Sequence, residues 1–339
     1  MKKTTLAAAT TLALSLLSGS VMAAPLLEPT TQHFIDSLAG STPIYKMTPT
    51  AARNVLASAQ ANPTGLLSVD IEDKVLPVGP KGSTNIRVIR PHGATGKLPV
   101  IIYFHGAGWV MGDKSTHDRL VRQLAVGSHA TLVFVDYSRS PENRYPVAVE
   151  EDYAVTKYVA EHAAEFNIDA SKLAVAGDSV GGNMTAVVTL LAKERKTPAI
   201  TAQLLFYPVT SANFNNGSYN EFANGPWLTR DGMKWFWNQY EPNIAKRADP
   251  HLSPLNASLE QLKGLPQALV ITDENDVLRD EGEAYARKLT QAGVRVTSTR
   301  YNGTIHDFVM LNALGQTPAA ISAVAQATQF LNDTLHPAH

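Results

Sequence analysis

The sequence predicts an α/β fold with a mostly parallel central sheet flanked by helices. Short, continuous apolar runs recur along the chain, as expected for strands covered on both faces. Helical patterns separate most of these runs, the arrangement that makes successive strands parallel. The chain has 339 residues and is 44% hydrophobic, enough for one large domain or one domain with an insertion.

In order, residues 28–65 look helical, with Phe34, Ile35 and Leu38 on one stripe and Ala51, Val55 and Leu56 on another. Val69 to Val78 and Thr84 to Ile89 alternate as half-buried strands. Leu98 to Phe104 (LPVIIYF) is apolar throughout and reads as a strand buried on both faces. Thr131 to Val135, Leu173 to Ala176, Gln203 to Phe206 and Ala268 to Thr272 repeat that signal, and Val294 to Tyr301 is the expected last strand. Ser115 to Val126, Val147 to Phe166, Met184 to Arg195, Arg279 to Gln291 and Ala319 to Leu335 have helical patterns. The stretch between Tyr207 and Leu265 is too long for a plain crossover. It carries an aromatic helix, Met233 to Tyr240, and reads as an insertion.

Residues 1–24 differ in kind. A basic start, Lys2 and Lys3, precedes an uncharged run, Leu6 to Leu17, and the small residues around Ala23 and Ala24. This is the pattern of a secretory signal peptide, which leaves 25–339 as the folded domain. The expected location is therefore the periplasm or the exterior of a bacterium. The run is too rich in Thr, Ser and Ala to favour a stable membrane anchor. With no cysteine, disulfides, thiolate chemistry, Cys-ligated metals and cysteine-borne lipids are excluded. A formal net charge of -1 offers no electrostatic footprint for nucleic acid.

In parallel sheets, sites form beyond the carboxyl ends of the strands. After LPVIIYF comes His105-Gly106-Ala107-Gly108-Trp109, a loop able to aim backbone N–H groups into a cavity. Ala107 and Gly108 N–H, with Val180 N–H and Gly106 as a further candidate, would form an oxyanion hole. After LAVA comes Gly177-Asp178-Ser179-Val180-Gly181, where flanking glycines let a tight strand-to-helix turn hold Ser179 outward. A serine nucleophile needs a base, and the base needs a carboxylate to fix its tautomer. Beyond the last strand lies His306; beyond Ala268 to Thr272 lie Asp273 and Asp276. The order Ser179, Asp276, His306 suits a catalytic triad, with Asp273 the chief rival acid and Asp307 a weaker one. His33, His92, His117, His129 and His162 read as surface groups, and His105 as a brace for the glycine loop. No H-E-x-x-H, Walker loop or dinucleotide motif is present, so neither metal nor cofactor is expected.

These segments together resemble the bacterial branch of the hormone-sensitive-lipase-like serine esterases, from about Leu98 to Phe308. HGAGW is similar to that family's HGGG motif, and GDSVGG to its G-D-S-A-G-G. Asp136 to Pro146 resembles its Y-R-L-A-P-E segment. Asp276 to Glu281 resembles its D-x-L-x-D-E stretch, which favours Asp276 over Asp273 as the triad acid. His306-Asp307-Phe308 resembles its H-x-F. The resemblance implies an α/β-hydrolase fold with a helical cap, here from about 28–65 and 210–250. It implies a carboxylesterase for short acyl esters, working through an acyl-enzyme. A carbohydrate acetyl esterase or deacetylase, or an amidase, is the alternative on the same triad. Ala107 and Val180 depart from the family's glycine and alanine, and their side chains are expected to narrow the acyl pocket. Glu142 is expected behind the glycine loop as a structural acid. Trp109, Trp227 and Leu228 are candidates for the pocket wall. The expected partner is a small-molecule ester, and a homodimer through the cap or an edge strand stays open.

Overall fold

The computed structural model describes residues 25–337. The expected signal peptide, residues 1–24, lies outside the described residues. The chain opens with helices α1 (Pro29–Ser37) and α2 (Pro49–Ala59), separated by a short 3-10 turn, so the helical region 28–65 is two pieces. Each has a proline in its first turn and a side-chain cap, from Glu28 and Thr48 respectively. Strands β1 (Val69–Leu76), β2 (Thr84–Pro91) and β3 (Leu98–Phe104) follow, then α3 (Asp118–Gly127), β4 (Thr131–Asp136), α4 (Val147–Glu161), β5 (Ile168–Asp178) and α5 (Val180–Arg195). After β6 (Ala202–Phe206) come α6 (Gly217–Glu221), α7 (Arg230–Tyr240) and α8 (Leu259–Leu262). The chain closes with β7 (Gln267–Asn275), α9 (Arg279–Gln291), β8 (Val296–Ile305) and α10 (Pro318–Leu335).

The strands form one eight-stranded sheet in the order β1-β2-β4-β3-β5-β6-β7-β8. The pairings β1–β2 and β2–β4 are antiparallel, and all the others are parallel. Every residue of β3 and β6 is buried, Gln203 of β6 included, as central strands covered on both faces require, whereas edge strand β1 is largely exposed. The sheet is flanked by two contacting helix pairs, α4–α5 and α3–α10, with α9 against β7 and β8. The strand ends that follow β3, β5, β7 and β8 converge on one region. There α2 and the β6–β7 insertion also meet, as the walls of a single cavity. Among the described residues, no helix is long and apolar enough to cross a membrane.

Candidate active site

The turn from β5 into α5 sets the site. Ser179 has φ 54° and ψ -118°, a strained backbone that puts a single residue between strand and helix. Close approach of neighbouring backbone makes the turn possible. A Cβ on Gly181 would lie 1.9 Å from the Phe104 carbonyl oxygen, and one on Gly177 would lie 2.4 Å from Gly181. α5 therefore begins at Val180, earlier than the apolar run suggests, and Val180 N–H has no acceptor within the helix.

Three residues from distant parts of the chain meet here. His306 Nε2 lies 2.9 Å from Ser179 Oγ, and His306 Nδ1 lies 2.8 Å from Asp276 Oδ2. Asp276 Oδ1 accepts the Leu278 N–H at 3.0 Å, which holds the carboxylate in place. All three residues are buried. Asp273, the rival acid, also lies close by, but no hydrogen bond links it to His306. Asp307 sits on the serine side of the imidazole, its Oδ1 3.4 Å from His306 Nε2. Burial by itself lowers the pKa of His306. The carboxylates of Asp276 and Asp307 outweigh it, so the pKa ends above the ordinary histidine value.

The loop after β3 carries the expected anion donors. Neither Ala107 N–H nor Gly108 N–H has a hydrogen-bond acceptor within the protein, and both residues border the cavity. Gly106 is different, and its inclusion as a donor is corrected: its N–H donates to Asp178 Oδ1 at 3.0 Å and is not free. Asp178 also accepts from Tyr103 Oη–H at 2.6 Å and has His117 Nε2 3.3 Å from its other oxygen. The expectation that His117 lies on the surface is therefore also corrected, since its side chain is wholly buried. Burial alone would lower the pKa of His117, but the Asp178 carboxylate reverses this and raises it. His105 stacks on Tyr137 with ring centroids 4.0 Å apart. Burial, with the nearby His117 charge, pushes its pKa down to about 3. His105 is thus a neutral brace, with Nδ1 2.9 Å from the Gly106 carbonyl oxygen.

An α/β-hydrolase-fold family model matches residues 101–310. The chain belongs to the hormone-sensitive-lipase-like α/β hydrolases. Among the hydrolase's relatives, Carboxylesterase NlhH of Mycobacterium tuberculosis is 37% identical over 93% of this chain and 98% of that protein. Carboxylic ester hydrolase LipN of the same organism is 40% identical over 78% of this chain and 71% of that one. The crystal structure of a thermostable esterase from Pseudomonas putida is 50% identical and superposes with a TM-score of 0.91. That match covers 93% of this chain and all of the other.

The hydrolase's cavity lies between Ser179 and two segments far apart in sequence. Ile44, Val55, Leu56 and Ala59 come from the N-terminal region, and Trp227, Leu228, Met233 and Phe236 from the β6–β7 insertion. The spacing of Val55 with Ala59 and of Met233 with Phe236, one helical turn each, was the signal available for these wall residues. Trp227 and Leu228 do line the wall. Trp227 also donates its indole N–H to Asp307 Oδ2 at 3.0 Å and contacts Phe34 of α1. Trp109 does not line it. Its ring is fully buried and stacks on Tyr240, centroids 4.2 Å apart, with Trp237 edge-on at 4.9 Å. Burying such an aromatic contributes roughly 1.5–3 kcal/mol, and here it joins the insertion to the core. Val180 is likewise outside the wall, so of the two expected narrowing side chains only Ala107 borders the cavity. Glu142 is half exposed and pairs with Arg53 of α2 at 2.7 Å, so it is not hidden behind the glycine loop. Arg53 also donates to the Val110 and Ser140 carbonyl oxygens, which fastens α2 beside that loop. Tyr207, unremarked in the sequence, places its ring 4.8 Å from His306.

Proposed function

We propose that this hydrolase cleaves short-chain carboxylic esters with Ser179 as nucleophile, His306 as general base and acid, and Asp276 as the acid that orients His306. One observation carries the reading: the unbroken chain from Ser179 Oγ through both imidazole nitrogens to Asp276, at the floor of an apolar cavity. The relatives named for carboxylic ester hydrolysis support the same reaction class.

Neutral His306 takes the Ser179 proton as Oγ attacks the ester carbonyl. Asp276 stabilises the imidazolium that forms. The carbonyl oxygen gains negative charge within reach of Ala107, Gly108 and Val180 N–H, each such donor being typically worth about 3–4 kcal/mol of barrier. His306 returns the proton to the departing alcohol. Water, deprotonated by His306, then attacks the acyl-enzyme and frees the acid and Ser179. Ala107, which puts a side chain where the family has glycine, borders this cavity beside Ser179 and supports the short-acyl preference.

The test is a series of p-nitrophenyl esters from acetyl to palmitoyl, with wild type beside Ser179→Ala. Turnover should peak at short chains, and Ser179→Ala should lose about 10⁴-fold or more in kcat while keeping its circular dichroism spectrum. A Ser179→Ala protein that kept most of its activity would end the assignment. Turnover rising through long chains would overturn the short-acyl preference. Export rests on the sequence pattern of residues 1–24 and is proposed with it. N-terminal sequencing of protein from the periplasm should begin near Ala24 or Pro25, and retention of Met1 would exclude cleavage.

A further inference from the structure

One buried acid beside this site has no part in the scheme above. Asp273 lies on β7, three residues before Asp276, and its side chain is completely buried. Among the described residues, neither of its carboxylate oxygens has a hydrogen-bond partner. An oxygen of Asp273, an oxygen of Asp276 and a ring nitrogen of His306 all lie within 4.8 Å of one another. A buried, unpartnered carboxyl destabilises a fold, least when it keeps its proton. Here it stands close enough to Asp276 and His306 for a second carboxylate to serve the imidazole.

Resting on the triad reading, we propose that Asp273 is a reserve acid for His306. It is a positioning residue that stands unpaired beside the Asp276–His306 pair and becomes the imidazole's partner when the Asp276 carboxylate is removed. Two carboxylates this close in a dry site do not both ionise readily. The local donors set the two apart: Asp276 accepts from the Leu278 N–H and pairs with His306, whereas Asp273 has no donor among the described residues. The other groups facing Asp273 are Asp307 beyond β8, Arg279 at the start of α9 and Tyr207 beyond β6. Burial first, then the Asp276 charge and that of Asp307, hold Asp273 well above the ordinary carboxylate range. His306 and Arg279 act the other way. Removing the Asp276 charge removes the largest of these electrostatic barriers to ionising Asp273.

The experiment compares wild type, Asp276→Asn, Asp273→Asn and Asp273→Asn/Asp276→Asn on p-nitrophenyl acetate from pH 5 to 10, with Ser179→Ala as the blank. Asn preserves the shape of a neutral carboxyl, and circular dichroism checks each fold. Asp276→Asn should retain at least about tenfold more kcat than the double variant, against a loss of about 10⁴-fold when a triad acid has no substitute. Equal kcat for these two proteins at every pH overturns the proposal. So does an Asp276→Asn protein that shows the full loss of about 10⁴-fold of a triad without a substitute acid, a result that needs no Asp273 variant to fold. Wild type without turnover, or Ser179→Ala with it, would instead overturn the esterase reading itself, before any Asp273 comparison is made.

Discussion

Asp307 follows His306 in sequence and takes a left-handed backbone, φ 68°, which brings its carboxylate round to the serine side of the imidazole. One oxygen accepts from Trp227; the other has no hydrogen-bond donor. Its negative charge helps His306 keep a proton to higher pH than a free histidine would. A general base must be neutral, so Asp307 should delay the onset of activity as pH rises. Asp307→Asn keeps the side chain's size and an oxygen for Trp227 but removes the charge. The acidic limb of its kcat/KM profile should therefore move to lower pH, with more activity than wild type on the acidic side. An unmoved limb would show that Asp307 serves only to hold Trp227. At this scale the sequence was most legible for residues whose role depends on a local motif, such as Ser179. It was least legible for Gly106, whose N–H is claimed by an aspartate 72 residues away.

The loop between β3 and α3 is the element on which the site turns. Ala107, Gly108 and Trp109 are consecutive left-handed residues, at φ 75°, 71° and 60°. That winding presents two N–H groups to the cavity and swings the Trp109 ring away into the stack with Tyr240 and Trp237. The misplacement of Trp109 in the sequence reading has this cause, since a run of positive φ at non-glycine residues leaves no pattern in the sequence. α7 closes over the same loop. A Cβ on Gly108 would lie 2.0 Å from the Phe236 ring. Gly108→Ala should thus displace the loop and cost about 10²-fold or more in kcat, the scale of losing one oxyanion donor. Gly108→Ala/Phe236→Ala removes the collision but keeps the strained φ, and it should recover part of the loss. No recovery would mean that the backbone, not α7, dictates glycine at this position.

Across the whole molecule, stability depends on how the sheet and helices tolerate acids with no partner. Asp152 on α4 is completely buried, and among the described residues neither of its carboxylate oxygens has a hydrogen-bond partner. Burial first, then the neighbouring Glu151 charge, hold its pKa well above the ordinary value. The folded state therefore keeps a proton that the unfolded chain gives up above about pH 4. Stability drawn from this group is full below that pH and falls as pH rises towards the folded pKa. Asp152→Asn removes the dependence. Its Tm should match or modestly exceed wild type at pH 4 and exceed it by more at pH 8, as measured by scanning calorimetry. A Tm difference that did not grow with pH would show that Asp152 has a proton donor or counter-charge.

The strand-helix alternation was readable because each buried strand announces itself locally, as a run of apolar residues bounded by turn formers. β3, β6 and α9 fall where their residues place them. The candidate nucleophile, base and anion loop were readable for a similar reason: each follows directly on such a strand, and the motifs around them are short. Tertiary structure alone decided which N–H groups stay free and which way Trp109 faces. It also placed His117 inside the protein and brought α2 and α7 to the wall of one cavity. Each of these depends on contacts between residues tens to hundreds of positions apart. Of the two acids after Ala268 to Thr272, the resemblance to D-x-L-x-D-E already favoured Asp276, and the fold adds that Asp273 lies beside the pair without a hydrogen-bond partner among the described residues. A local motif can name the acid that meets an imidazole from another strand, but that the acid three residues earlier is buried beside it without a partner depends on packing across the sheet.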